Sequence, residues 1–153
     1  MHLAESIYLN FRLGILVDET MLVKEIMTRN IISIDSNQTV KDACFKFRDH
    51  KVGCLLVTEN DQLVGILTER DVIKRILCEG RDHNTTLVKD IMSTEIKTIG
   101  PLEEIEKALD TFKTYNIKKL PVVTEDEIVG IITITDIAYT RPGIKDFIKV
   151  WKS

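Results

Sequence analysis

Residues Leu63 to Asp71 read LVGILTERD, and Ile128 to Asp136 read IVGIITITD, with Gly, Ile, Thr and Asp at matching places. Each copy is an apolar run of β character, then a Thr, then an Asp three residues on, where a helix should begin. The surroundings repeat as well. Leu22-Val-Lys-Glu-Ile-Met27 returns as Leu87-Val-Lys-Asp-Ile-Met92, a shift of 65 residues. The same shift pairs Ile34 with Ile99, Ala43 with Ala108, Phe47 with Phe112 and Val57 with Val122. No gap is needed from residue 22 to about residue 74, and so long an ungapped register marks one unit used twice. The chain divides into an N-terminal extension (1–21), a first unit (22–80), a second unit (87–140) and a C-terminal amphipathic segment (141–153), with Cys78 to Thr86 joining the units.

Within the first unit, Ile31 to Asp35 is a short β run, and Ser36 is placed to cap a helix whose apolar positions are Val40, Ala43, Cys44 and Phe47. Cys54 to Thr58 and Leu63 to Thr68 are strands around the polar turn Glu59-Asn-Asp-Gln62. Helical spacing then returns at Val72, Ile73, Ile76 and Leu77, with Gly80 as a stop. The second unit follows the same plan: a strand at Thr98–Ile99, a helix opened by Gly100-Pro101 with Glu103 and Glu104 in its first turn, a hairpin turning at Glu125-Asp126-Glu127, and a helix from about Thr135 that stops before Arg141-Pro142. Each unit is β-α-β-β-α. A unit of ~60 residues buries barely enough surface to stand alone. The expected fold is therefore α+β, two units packed sheet against sheet about a pseudo-twofold axis.

The bulk numbers fit a globular domain with a core of its own. Of 153 residues, 44% are hydrophobic and 29% charged. The net charge of −3 offers no basic excess to draw nucleic acid or an anionic membrane. Cys44, Cys54 and Cys78 are odd in number and form no CxxC pair, so a disulfide framework or zinc knuckle is not expected and a reducing cytoplasm fits. Ser6 to Val17 is apolar, but Asn10 and Arg12 interrupt it and it falls short of the ~20 residues that span a bilayer. It reads as a short element packing on the domain or on a partner chain.

The lead-ins VKEIMT and VKDIMS, LPVV at Leu120 to Val123, and the two G-Φ-Φ-T-x-x-D signatures, where Φ is an apolar residue, together resemble the CBS (cystathionine β-synthase) domain. The tandem resembles a CBS pair, or Bateman module, over residues 22 to about 140. The resemblance implies two symmetry-related sites in the cleft between the units for adenosine-containing ligands such as AMP, ADP, ATP or S-adenosylmethionine. It implies a regulatory ligand rather than a required cofactor, an unidentified regulated protein, and dimerisation through helices.

Chemistry at the motif agrees. A carboxylate at Asp71 or Asp136 can accept from both ribose hydroxyls, as in dinucleotide-binding folds. Taken alone, an Asp after a strand more readily belongs to a helix cap; its recurrence with Thr inside the family signature reverses that and favours the ligand. Thr68 and Thr133 offer hydroxyls for a phosphate near a helix start, and Thr135 adds another. Arg70 reads either as a phosphate fork or as a solvated charge. By family analogy, the segment before each unit's second strand lines the base in its own site and leans toward the phosphates of the other. It carries Lys118 and Lys119 in the second unit but Gly53 and Cys54 in the first, so the lysines are expected to serve the Asp71 site. Adenine would lie against Val40, Val52 and Cys54 in one site, and against Ile105, Ile117 and Pro121 in the other, with Asp35 and Gly100 at the rims. The Asp71 site, which also draws on Gly53, Thr68, Arg70, Lys118 and Lys119, is expected to suit multiply charged phosphates better than the Asp136 site, which draws on Lys118, Thr133 and Thr135.

Catalysis is not expected. His2, His50 and His83 are scattered, and no GxSxG, Walker or GxGxxG motif is present. The competing readings are a dimerising scaffold with vestigial clefts and a nucleic-acid accessory protein, the latter without a basic stripe to support it. Apolar faces around Ile7–Leu16 and at Phe147, Ile148 and Trp151 add to the expectation of a homodimer.

Overall fold

The computed structural model describes residues 20–125 and 127–140. The N-terminal run, Asp126 and the C-terminal amphipathic segment lie outside these, and with them the two terminal apolar faces. The described chain runs α1 (Val23–Ile26), β1 (Ser33–Asp35), α2 (Val40–His50), β2 (Cys54–Glu59), β3 (Gln62–Thr68), α3 (Glu69–Val72, continued by a π turn at Ile73–Leu77), a 3-10 turn at Val88–Asp90, α4 (Ile105–Tyr115), β4 (Lys119–Val123), β5 (Ile128–Thr133) and α5 (Ile134–Thr140).

β1 pairs parallel with β2 and β2 antiparallel with β3, while β4 and β5 form the second hairpin. The first hairpin turns on Asn60 and Asp61, both at positive φ (50° and 62°). Two consecutive left-handed residues make the type I′ turn that matches strand twist, and Asn and Asp tolerate that region best after Gly. The expected first strand of the second unit shrinks to one bridge, Ile99 against Val122.

Two helix starts differ from the sequence reading. Thr39, not Ser36, caps α2: Thr39 Oγ1 accepts from Asp42 N at 3.2 Å, and Asp42 Oδ2 accepts from Thr39 N at 3.1 Å. That reciprocal box satisfies two orphan amides at once. Ser36 is instead buried, its N–H donating to Thr58 O and its hydroxyl to Glu59 Oε2. In the second unit the helix starts at Ile105, not at Pro101. The Gly100-Pro101-Leu102-Glu103 stretch is held out of the helix because Pro101 O and Glu103 O accept from Lys24 N and Val23 N.

Those last bonds expose how the repeats combine. The lead-in of each repeat packs on the other unit. Val23 sits at 0% exposure in a core with Ile105, Phe112, Leu120 and Ile132, while Val88 and Ile91 complete the core of Ile34, Val40, Phe47, Leu55 and Leu67. Thr28 exchanges both backbone hydrogen bonds with Ile131, and Ser93 does the same with Ile66. The lead-ins also begin alike, with Leu22 N donating to Glu25 and Leu87 N to Asp90. The motif glycines follow from this crossing. A Cβ on Gly130 would stand 2.7 Å from Met27 Sδ and 2.9 Å from Thr28 O, and one on Gly65 would collide with Met92.

Candidate functional site

Strand pairing gathers one set of motif residues. Cys54 opens β2 opposite Thr68, the last residue of β3, and Lys119 opens β4 opposite Thr133, the last of β5. The turn into the following helix is tied down identically in each unit: Glu69 N donates to Gly53 O at 3.2 Å, and Ile134 N to Lys118 O at 3.0 Å.

At each turn Thr and Asp form a reciprocal cap. Thr68 N donates to Asp71 Oδ2 at 2.9 Å, and Asp71 N to Thr68 Oγ1 at 3.2 Å. Thr133 N and Asp136 N repeat this at 2.9 and 3.1 Å. Cap and candidate ligand residue are thus the same group. The described bonds to both carboxylates fall on Oδ2, which fixes each carboxylate from one side. The Thr68 hydroxyl also donates to Asp71 Oδ2 at 3.0 Å, so its proton is held within the cap.

Lys119 crosses to the first unit. Its Nζ lies 3.9 Å from where a Cβ on Gly53 would stand, and the Glu69 carboxylate lies 3.7 Å from the same point. Burial pushes the Cys54 thiol above its ordinary range; Lys119 opposes that rise and Asp71 adds to it, so both charges act on this sulfur. Gly53, Cys54, Thr68, Asp71 and Lys119 therefore converge, together with Glu69, which sequence reasoning passed over. Arg70 and Lys118 are exposed neighbours of the cluster, as Thr135 is at the second turn.

Other expected residues stand elsewhere. Val40 and Ile105, the first residues of α2 and α4, are at 0% exposure inside the two cores, and they do not wall a cleft. Val52 and Ile117 pack on those same cores. Asp35 is exposed and pairs with Thr58, at the end of β2 remote from Cys54. Gly100 belongs to the turn before α4, and Pro121 is buried in mid-strand opposite Ile131.

Two cavities lie between the units. One, of about 470 Å³, is lined by Ile31, Ser33, Leu56 and Thr58 of the first unit with Glu127 and Ile128 of the second. The other, of about 400 Å³, has Ile96, Thr98, Val123 and Thr124 with Asp61 and Gln62. Ile31 and Ser33 correspond to Ile96 and Thr98 under the repeat, so the cavities are a pseudo-symmetric pair. Neither lining includes the Thr–Asp caps. The link is strand alternation: Cys54, Leu56 and Thr58 share one face of β2. That row, roughly 13 Å long at ~3.3 Å per residue, runs from the cavity floor to the Asp71–Lys119 end. The signal was available in sequence, since every second residue from Cys54 leads to the cavity.

This arrangement defines a class: two βαββα units clasped through exchanged lead-ins, with paired cavities between their sheets. The CBS domain model matches residues 23–78 and 88–142, and the chain belongs to the CBS domain family. The CBS domain-containing protein YhcV of Bacillus subtilis is 35% identical over 119 residues, covering 78% of this chain and 84% of that protein. The solved CBS domain pair of protein MJ0100, in complex with 5′-methylthioadenosine and S-adenosyl-L-methionine, superposes with a TM-score of 0.71 at 27% identity, covering 80% and 96% of the two chains. Hypoxic Response Protein I, solved with two coordinated zinc ions, gives 0.71 at 28% identity, covering 80% and 100%. Among the described residues of this chain, no group of three or more His, Cys, Asp or Glu could hold a metal ion. No described helix is long and apolar enough to cross a membrane.

Proposed function

We propose that this CBS pair is a non-catalytic regulatory module that binds adenosine-containing ligands between its two units and reports their level to a partner protein. The observation that carries the reading is the convergence of Asp71 and Lys119, the latter from the opposite unit, at the Cys54 end of the β2 row whose Leu56 and Thr58 line a nucleoside-sized cavity. The complex of the MJ0100 pair with two adenosine derivatives supports the ligand class. Asp71 accepts from the ribose hydroxyls, the row from Cys54 to Thr58 faces the nucleoside, and Lys119 with Arg70 meets an anionic tail.

The two sites are unequal. Lys119 and Arg70 equip the Asp71 site, whereas the repeat places Cys54 and Thr135 at the matching positions for the Asp136 site. Glu69 changes the expected preference, because a second carboxylate beside Gly53 opposes the accumulated charge of a triphosphate. AMP is the favoured nucleotide there.

Thermal shift and calorimetry with AMP, ADP, ATP, S-adenosylmethionine and 5′-methylthioadenosine test this. A ligand at about 100 times its Kd stabilises the fold by ~2.7 kcal/mol. Asp71→Ala should weaken the tighter site far more than Asp136→Ala does. No shift with any of the five would leave a scaffold role in its place. The module also self-associates in this reading, through helix faces that leave Ile73 and Leu77 exposed one turn apart; light scattering at micromolar concentration reads the subunit number.

A further inference from the structure

Helix α3 widens into a π turn, with Cys78 N donating to Ile73 O at 2.9 Å and Arg81 N to Ile76 O at 3.0 Å. Single π turns concentrate at functional positions. On that turn Arg75 reaches across to the lead-in of the second repeat, where Nη1 donates to Ile91 O at 2.6 Å and to Met92 O at 3.2 Å. The repeat places Thr140 at the matching position, and its hydroxyl turns back to Ile137 O in its own helix. Among the described residues, no side chain donates to Ile26 O or Met27 O. One lead-in is clamped by a charged side chain; the other, among the described residues, is held by backbone and packing.

The clamp joins the helix that follows the Asp71 turn to the segment that leads into the second cavity. Asp71 lies four residues before Arg75. Beyond Met92 the chain passes through Ser93, locked to Ile66 by two backbone hydrogen bonds, and on to Ile96 and Thr98, which line the second cavity. We propose that Arg75 is a positioning residue that couples the two ligand sites: a nucleotide fixing Asp71 also fixes α3, and through Arg75 it sets the segment from Ile91 to Thr98 for a second ligand. This rests on the ligand reading above. The second ligand then meets a wall already ordered, so the coupling is positive and runs equally in both directions.

The test compares the wild-type chain with Arg75→Met, which keeps the apolar stem, and Arg75→Lys, which keeps a charged donor. Without ligand, the Ser93 amide should exchange roughly tenfold faster or more in Arg75→Met, the change one lost charged hydrogen bond implies. The Thr28 amide, in the unclamped lead-in, should not change. With AMP as probe, the second cavity's affinity in wild type, with the first site filled, should exceed its affinity in Asp71→Ala by roughly fivefold or more. Arg75→Met should bring that ratio to one, and Arg75→Lys should restore it in part. Unchanged Ser93 exchange in Arg75→Met, or an unchanged ratio, overturns the coupling. If Ser93 exchange responds but AMP binds nowhere on wild type, the ligand reading fails and the coupling with it, leaving only a structural clamp.

Discussion

Glycine at positions 65 and 130 is a packing requirement imposed from the far side of the repeat. Gly130→Ala puts a methyl against Met27 Sδ and the Thr28 carbonyl oxygen. The backbone atom cannot swing away, so overpacking should cost about 1–3 kcal/mol in urea unfolding. Met27→Ala should not rescue it, because Thr28 O remains. The glycines were plain in the sequence as repeated letters; their reason was not, since Met27 and Gly130 are about a hundred residues apart. The cysteines sort by burial. Desolvation raises the thiol pKa of both Cys44 and Cys54, while Cys78 is exposed. A thiol raised in the folded state holds its proton longer than in the unfolded chain. Its contribution to stability is therefore whole below the ordinary thiol range and is lost as pH rises through it. Thiol titration at mildly alkaline pH should label Cys78 first, and a nucleotide in the first cavity should slow Cys54 further without changing Cys78.

At the scale of elements, the helices were legible and their beginnings less so. Val40, Ala43 and Phe47 marked α2, and Ile105, Ala108 and Phe112 marked α4; all six are buried. The cap of α2 was misplaced by three residues although Asp42, three after Thr39, carried the signature of a capping box. Thr39→Ala should remove about 1 kcal/mol from global stability by urea unfolding, and Ser36→Ala should act through its buried bond to Glu59 instead. Asp71 and Asp136 cap their helices, and the ligand role proposed for them falls on the same carboxylates. Substituting either Asp therefore costs stability as well as affinity. Asp71→Asn, which keeps an acceptor for the Thr68 amide, separates the two: it should retain most of the melting temperature lost in Asp71→Ala.

Across the whole molecule, a repeat in sequence and a core in space are not the same set of residues. The matched pairs across the 65-residue shift gave the architecture, but periodicity cannot say which unit a lead-in joins. Ile91→Ala removes a fully buried side chain from the core around Leu55 and Leu67. It should cost about 2–5 kcal/mol and, by hydrogen exchange, loosen first the unit that precedes it in the chain. The cavities were hidden for a related reason: each takes its lining from both hairpins, and only the packed pair encloses them.

The exchanged lead-ins also order events during synthesis. When the segment from Leu22 to Thr28 leaves the ribosome, the core that receives Val23 has yet to be made. That core closes only once α5, which contributes Ile134 and Ile137, has been added. About a hundred further residues, at ~5–20 residues per second, amount to a wait of roughly 5–20 s. The half made first must also wait for Val88 and Ile91. This protein finishes its beginning last.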